Sequence, residues 1–193
     1  MRFSHQKVPR QLLVDLVDIA RDEAKHFMWL DQRLRELGSS YGALPAHKAL
    51  WEQGSSTRNS LRARLAIIPL VQEAKALDAG PRLTEKLRSI PDAVSADVVQ
   101  QICSEEVGHV YKGLQWFVFL CKQEGVDPVA TFHQEVRTHC RSPLQAPFNE
   151  VARAMAQMWP EWFNPVSTAY HNAQSWAVQR ALGFNQCSAE LAR

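Results

Sequence analysis

Two Glu-x-x-His pairs stand out in this sequence: Glu23 with His26 in "ARDEAKHFMWL", and Glu106 with His109 in "CSEEVGHVYKGLQWF". On an α-helix, residues three apart share a face with Cβ atoms about 5–6 Å apart, so a carboxylate and an imidazole can reach one point beside the helix. A third carboxylate, Glu73, interrupts the apolar pattern between the two pairs. A buried carboxylate with no partner is costly and protonates rather than stay charged. Three carboxylates on three apolar seams therefore need a shared cation, and divalent iron or manganese accepts such a mixture of oxygen and nitrogen donors. With twelve Glu and seven His in 193 residues, chance gives about 0.4 Glu-x-x-His matches. The competing reading is a set of core polar groups that satisfy one another.

The elements that must position these residues read as helices throughout. The first is expected from near Pro9 to Gly38, with Pro9 suited to a first turn and Gly38 to a C-terminal cap. Its 3-4 seam is Leu13, Leu16, Ala20, Glu23, Phe27, Leu30, Leu34 and Leu37, with Glu23 the one charged member. A Gly-, Ser- and Pro-containing loop follows, and His47 and Trp51 fall at the start of a short helix. A second long helix is expected over about Thr57–Asp78 on the seam Ala63, Ala66, Leu70, Glu73 and Leu77. Pro69 should kink it one turn before Glu73. "AGPRL" reads as a break at Gly80–Pro81, with a short helical piece over Leu83–Arg88. The next long helix is expected from Asp92 to Glu124 on Val99, Ile102, Glu106, His109, Gly113, Trp116 and Leu120. "WFVFLC" belongs to that period as buried helix rather than strand. Further helices are expected at Asp127–Cys140 and from Phe148 to about Met158, then weak helical character to the C-terminus.

Length and composition suit one domain over 1–193, with the ligand helices in 9–124 and C-terminal helices and a tail in 125–193. The net charge of +2 gives no footprint for nucleic acid, and Arg58, Arg62 and Arg64 read as a solvated helix face. Cys103, Cys121, Cys140 and Cys187 form no Cys-x-x-Cys pair, so neither a disulfide framework nor a structural zinc site is indicated. Cys103 and Cys121 read as small core residues. The polar N-terminus is no secretory signal, and no apolar run is long enough for a bilayer. A cytoplasmic protein is the expectation. Glu105 reads as solvated; His133, Glu135 and His139 read as an exposed polar face; and Tyr111 and Trp116 read as core packing.

Bundle proteins that hold two metals use one Glu from each of two helices and Glu-x-x-His from each of two others. The order Glu23-x-x-His26, Glu73, Glu106-x-x-His109 supplies three of those four helices. Beyond this, "RDEAKHFMWLDQRLRELGSSYGALPAHKALW", "RLAIIPLVQEAKALDAGP", "SEEVGHVYKGLQWF" and "PLQAPFNEVAR" resemble the ferritin-like family known as domain of unknown function four-fifty-five, over about 2–165. Its relatives in fold include the di-iron tRNA hydroxylase that acts on isopentenylated adenosine. The resemblance implies an all-α, ferritin-like antiparallel bundle with Glu23, His26, Glu73, Glu106 and His109 as ligands to two irons, manganese being possible. It implies Glu106 or Glu73 as the bridge, the two histidines as caps, and oxidoreductase or hydroxylase chemistry on an unknown substrate. Members of that family carry a further helix, with a further Glu, before the first pair, and this sequence places only 22 residues before Glu23. The expectation is therefore an N-terminally truncated bundle with an incomplete two-metal site and an uncovered apolar face that a homodimer would cover. The rival expectation is a catalytically incomplete bundle that acts as a structural or interaction module.

Overall fold

Pro9 and Gly38 bracket the first helix as their backbone preferences require: α1 runs Arg10–Glu36, and Gly38 adopts a left-handed φ of 76° just beyond it. The computed structural model describes Phe3 and residues 8–168. α2 (Ala49–Ser56) leads to α3 (Leu61–Ile67), whose first turn is capped by Ser60. A π-helical segment, Ile68–Glu73, passes directly into α4 (Ala74–Arg88). α5 (Ala93–Glu124) is capped by the Asp92 side chain at one end and by left-handed Gly125 at the other. α6 (Pro128–His139) has Asp127 as its cap and Pro128 in its first turn. α7 (Glu150–Met155), α8 (Pro160–Phe163) and a short 3-10 turn complete the described residues. All of their regular structure is helical, apart from one isolated bridge, Leu144–Ser167.

α5 is the central rod. The α3–π–α4 arm packs antiparallel to it, with Gly80 against Cys103 and Pro69 against Gly113. α1 also lies antiparallel to α5, and Arg33 meets Asp92, His26 meets Glu105, and Asp15 meets Trp116 along the shared length. The core lies where α3, the π segment, α5, α6 and α8 meet and buries Leu65, Leu70, Phe117, Phe132 and Phe163, with Leu12 of α1 joining it. Phe117, Phe132 and Trp162 pack edge to face within it. "WFVFLC" is buried helix as expected, with Phe117 and Cys121 fully covered.

Three expectations about the elements change. The second helix starts at Leu61 and does not stop at Gly80–Pro81, which lies inside α4. Pro81 has no N–H for the Leu77 carbonyl, and the Asn149 side-chain amide donates to that carbonyl instead, at 3.1 Å. Gly80 allows the close approach: a Cβ there would strike the Cys103 thiol. The fifth helix is shorter than expected, because Asn149 caps α7 and the chain leaves the helix at Ala156–Gln157. The first seam is turned by about one position. Leu12 and His26 are the buried residues of α1, whereas Phe27, Leu30 and Leu37 are exposed. The helical character expected near the C-terminus, and Cys187, lie outside the described residues. None of the described helices is long and apolar enough to cross a membrane.

Candidate metal centre

The π segment sets the depth of Glu73. Pro69 disturbs the α-helical ladder, the turn widens over Ile68–Glu73, and Glu73 is its last residue. Gly113 on α5 makes room for it, since a Cβ on Gly113 would lie 2.5 Å from Pro69 Cγ. This bare patch of α5 lets the wide turn sit close enough for Glu73 to feel the charges of Glu106, His109 and Glu23. Burial, followed by the nearby Glu106 carboxylate, pushes the Glu73 carboxyl up to about 7. Its Oε2 is buried with no hydrogen-bond partner.

The two pairs meet between α1 and α5. His109 Nδ1 lies 3.1 Å from Glu23 Oε1 and 3.3 Å from Glu106 Oε2. His26 Nδ1 lies 3.5 Å from Glu106 Oε1 and 3.7 Å from Glu23 Oε1. The two imidazole centroids are 5.8 Å apart. Donor atoms of Glu23, Glu106 and His109 all fall within 4.8 Å of one another. Glu106 is deeply buried, with 7% of its side chain exposed, whereas Glu23 retains 48%. Glu23 therefore reaches the cluster from the solvent side, a correction to its expected place on a buried seam. Burial lowers the His109 pKa, but hydrogen bonds to Glu106 and Glu23 outweigh it and raise it to about 10. The His109 hydrogen bond in turn holds Glu23 below the usual carboxylate range.

Two acidic neighbours were not singled out from the sequence as part of this cluster. Glu105 is no solvated bystander: its Oε2 lies 2.8 Å from His26 Nε2 and 2.6 Å from Lys25 Nζ. The Lys25 contact, then Gln101, pull its carboxyl down to about 2. Asp22 Oδ2 faces His109 Nε2 at 3.5 Å and Lys25 at 3.2 Å through its other oxygen. The available signal was position, because Asp22 and Glu105 each directly precede a carboxylate of a pair. The second polar set is not at this centre, nor is it the exposed face expected. Glu135 is buried and bridges Arg62 at 3.1 Å and His139 at 3.4 Å. His133 Nε2–H donates to the Glu161 and Trp162 carbonyls, at 2.9 and 3.1 Å. Tyr111 is exposed, and the Trp116 indole donates to Asp15 at 2.8 Å.

A cation would resolve the electrostatics of this arrangement. Glu105 accepts from Nε2–H, and His26 Nδ1, which carries a lone pair in the neutral ring, faces two carboxylates at 3.5 and 3.7 Å. It has no hydrogen-bond partner, and neither has Glu73 Oε2. These two unpartnered atoms, beside the Glu23 and Glu106 carboxylates, match the oxygen and nitrogen donor set of a first-row divalent ion. The residues present fit such a group.

No solved structure matches the chain to significance. An uncharacterised protein of Haemophilus influenzae is 34% identical over 142 residues, covering 74% of this chain and 49% of that protein. The 3-demethoxyubiquinol 3-hydroxylase of Herminiimonas arsenicoxydans is 34% identical over 95 residues, covering 46% of this chain and 43% of that enzyme. The chain thus spans about half the length of the curated relatives it matches. A family model described as "Protein of unknown function (DUF455)" matches residues 1–164, and the chain belongs to that family.

Proposed function

We propose that this protein is a ferritin-like, di-iron-type carboxylate bundle of oxidoreductase, hydroxylase ancestry, with Glu23, His26, Glu73, Glu106 and His109 as its metal ligands. The observation that carries the reading is the unpartnered His26 Nδ1 turned toward Glu106 and Glu23 beside the unpartnered Glu73 Oε2. Similarity over part of the chain to a protein named as a hydroxylase supports the reaction class. Ferrous iron, when bound, supplies the reducing electrons for chemistry with dioxygen; manganese suits the same donors. The chain's own contribution is positional. Glu105 fixes the His26 tautomer, Glu106 sits between both histidines, and His109 and Glu73 give up protons when a cation takes their place.

The test is anaerobic titration of metal-free protein with Fe(II) and Mn(II), followed by metal analysis after desalting. Five donor residues are few for two first-row ions, each of which takes about four to six donors. Retention of less than two equivalents per chain is expected, falling to background in Glu106→Ala and His109→Ala. Equal retention by those variants would sink the reading.

A second reading, a bundle that works as an interaction module, is favoured by the apolar stripe on α1, where Val17, Phe27 and Met28 are 53%, 48% and 63% exposed. Light scattering decides its simplest form. A homodimer broken by Met28→Lys supports it, and a monomer with tightly held metal rejects it.

A further inference from the structure

Next to the cluster, α1, α3, the π segment and α5, together with Phe3, line a partly open cavity of about 300 Å³. Its wall is mainly apolar, with Leu12, Leu16, Ile19, Leu65, Ile68 and Trp116 among the lining residues, and Glu73 stands at its boundary with the carboxylate–imidazole cluster. Close-packed interiors leave few voids larger than a water molecule. A dry engineered cavity of about 150 Å³ takes a benzene ring, so this one has room for roughly twice that.

The chemistry of the wall restricts the ligand. Of the lining residues only Arg64 and Glu73 carry charge. The Arg64 guanidinium is engaged by Thr57 Oγ1 at 2.8 Å and by the Gly54 carbonyl. The Trp116 N–H is used by Asp15, so its ring offers the cavity an apolar surface. A phosphate or carboxylate would meet mostly apolar side chains and the Glu73 carboxyl, and the lining cation, Arg64, already spends hydrogen bonds on Thr57 and Gly54. An apolar body removes those side chains from water and loses nothing.

We propose that this cavity binds an uncharged, mainly apolar small molecule, about the size of two fused rings or a branched ten-carbon chain, and holds it against Glu73. The inference deepens the metal reading, because it names the substrate class that would be presented to that centre, while the binding itself requires no metal. The site lies on the face of α1 that carries Leu16 and Ile19, both partly buried, so larger side chains at these positions fill the cavity without entering the main core.

The experiment is isothermal titration of 2-naphthol into the metal-free chain, with naphthalene-2-sulfonate as the charged comparator and Leu16→Trp and Ile19→Trp as filled variants. Saturable one-to-one binding is expected, weakened at least tenfold by either variant and by the sulfonate. Circular dichroism and metal uptake of the variants should match those of the parent. Absence of saturable binding, or unchanged binding in both folded variants, overturns the proposal. Normal 2-naphthol binding by a chain that takes up no iron supports the cavity and removes the metal reading, so the two fail separately.

Discussion

His26 Nε2 and Glu105 Oε2 lie 2.8 Å apart, and this contact decides which nitrogen of His26 faces the cluster. A carboxylate that accepts from one ring nitrogen leaves the other as a lone pair aimed at a metal and raises its basicity. Lys25, 2.6 Å from the same oxygen, holds Glu105 in place. Glu105→Ala should therefore weaken Fe(II) or Mn(II) binding about 10–100-fold, the usual range for loss of such a partner. Glu105→Gln still accepts from Nε2–H and should fall between the parent and the alanine variant. Titration calorimetry reads both; an unchanged Kd in Glu105→Ala would mean that His26 needs no orienting partner.

The metal-free chain should lose stability as pH rises. Glu73 is raised from 4.5 to about 7 and His109 from 6.5 to about 10, so the native state binds more protons than the unfolded state in both windows. Stability falls from pH 4.5 to 7 through Glu73, and from pH 6.5 to 10 through His109. Glu105, lowered from 4.5 to about 2, acts in the opposite direction: its contribution is present above pH 4.5 and is lost as pH falls toward 2. Urea midpoints measured without metal should decline from pH 5 to pH 9. Glu73→Gln should flatten the part between pH 5 and 7, and a midpoint that rises over this range would contradict the assignment.

Gly113 and Gly80 should respond differently to alanine. In a helix interior Gly→Ala gains about 1 kcal/mol from propensity. At Gly113 the new Cβ would strike the rigid ring of Pro69, and overpacking of that kind costs about 1–3 kcal/mol. At Gly80 the nearest obstacle is the Cys103 thiol, a single atom on a rotatable bond, with Cβ at 3.1 Å. Gly113→Ala should therefore be destabilising by chemical denaturation and should also weaken metal uptake, because it displaces the turn that carries Glu73. Gly80→Ala should lie near neutral.

Arg153 and Asp78 form a buried, two-pronged ion pair at 2.9 and 2.6 Å, with side chains only 2% and 7% exposed. The guanidinium also stacks on Phe148 and Phe163. Removal of one partner of such a pair costs about 3–5 kcal/mol, because the other charge stays buried. Arg153→Ala should show that loss in a denaturation curve, and the double change Arg153→Met with Asp78→Asn should recover much of it. Retention of full stability by Arg153→Ala would show that Asp78 finds water or protonates freely.

The sequence by itself determined the helices and the two pairs. Asp92, Gly125 and Asp127 are cap residues whose side chains or backbone freedom act locally, and the ends of α5 and the start of α6 fall where they require. Three-residue spacing makes Glu106 and His109 neighbours on any helix, and both are buried. Pro69 likewise announced a disturbed turn before Glu73. The rotation of α1 was decided by tertiary structure. That helix carries apolar residues around most of its surface, with Val14, Val17, Phe27, Met28 and Leu30 all exposed, so periodicity alone admits more than one inward stripe. Polar contacts with α5 select among them: Arg33 with Asp92, Asp22 with His109 and Asp15 with Trp116 turn Leu12 and His26 inward and leave Glu23 at the edge. The continuity of α4 through Pro81 depends on Asn149, which is 68 positions away and supplies the donor that proline lacks. The role of Glu105 and the cavity beside Glu73 have the same origin. Each needs groups from separate helices, and local sequence sets how a helix is built but not which neighbour its polar groups will meet.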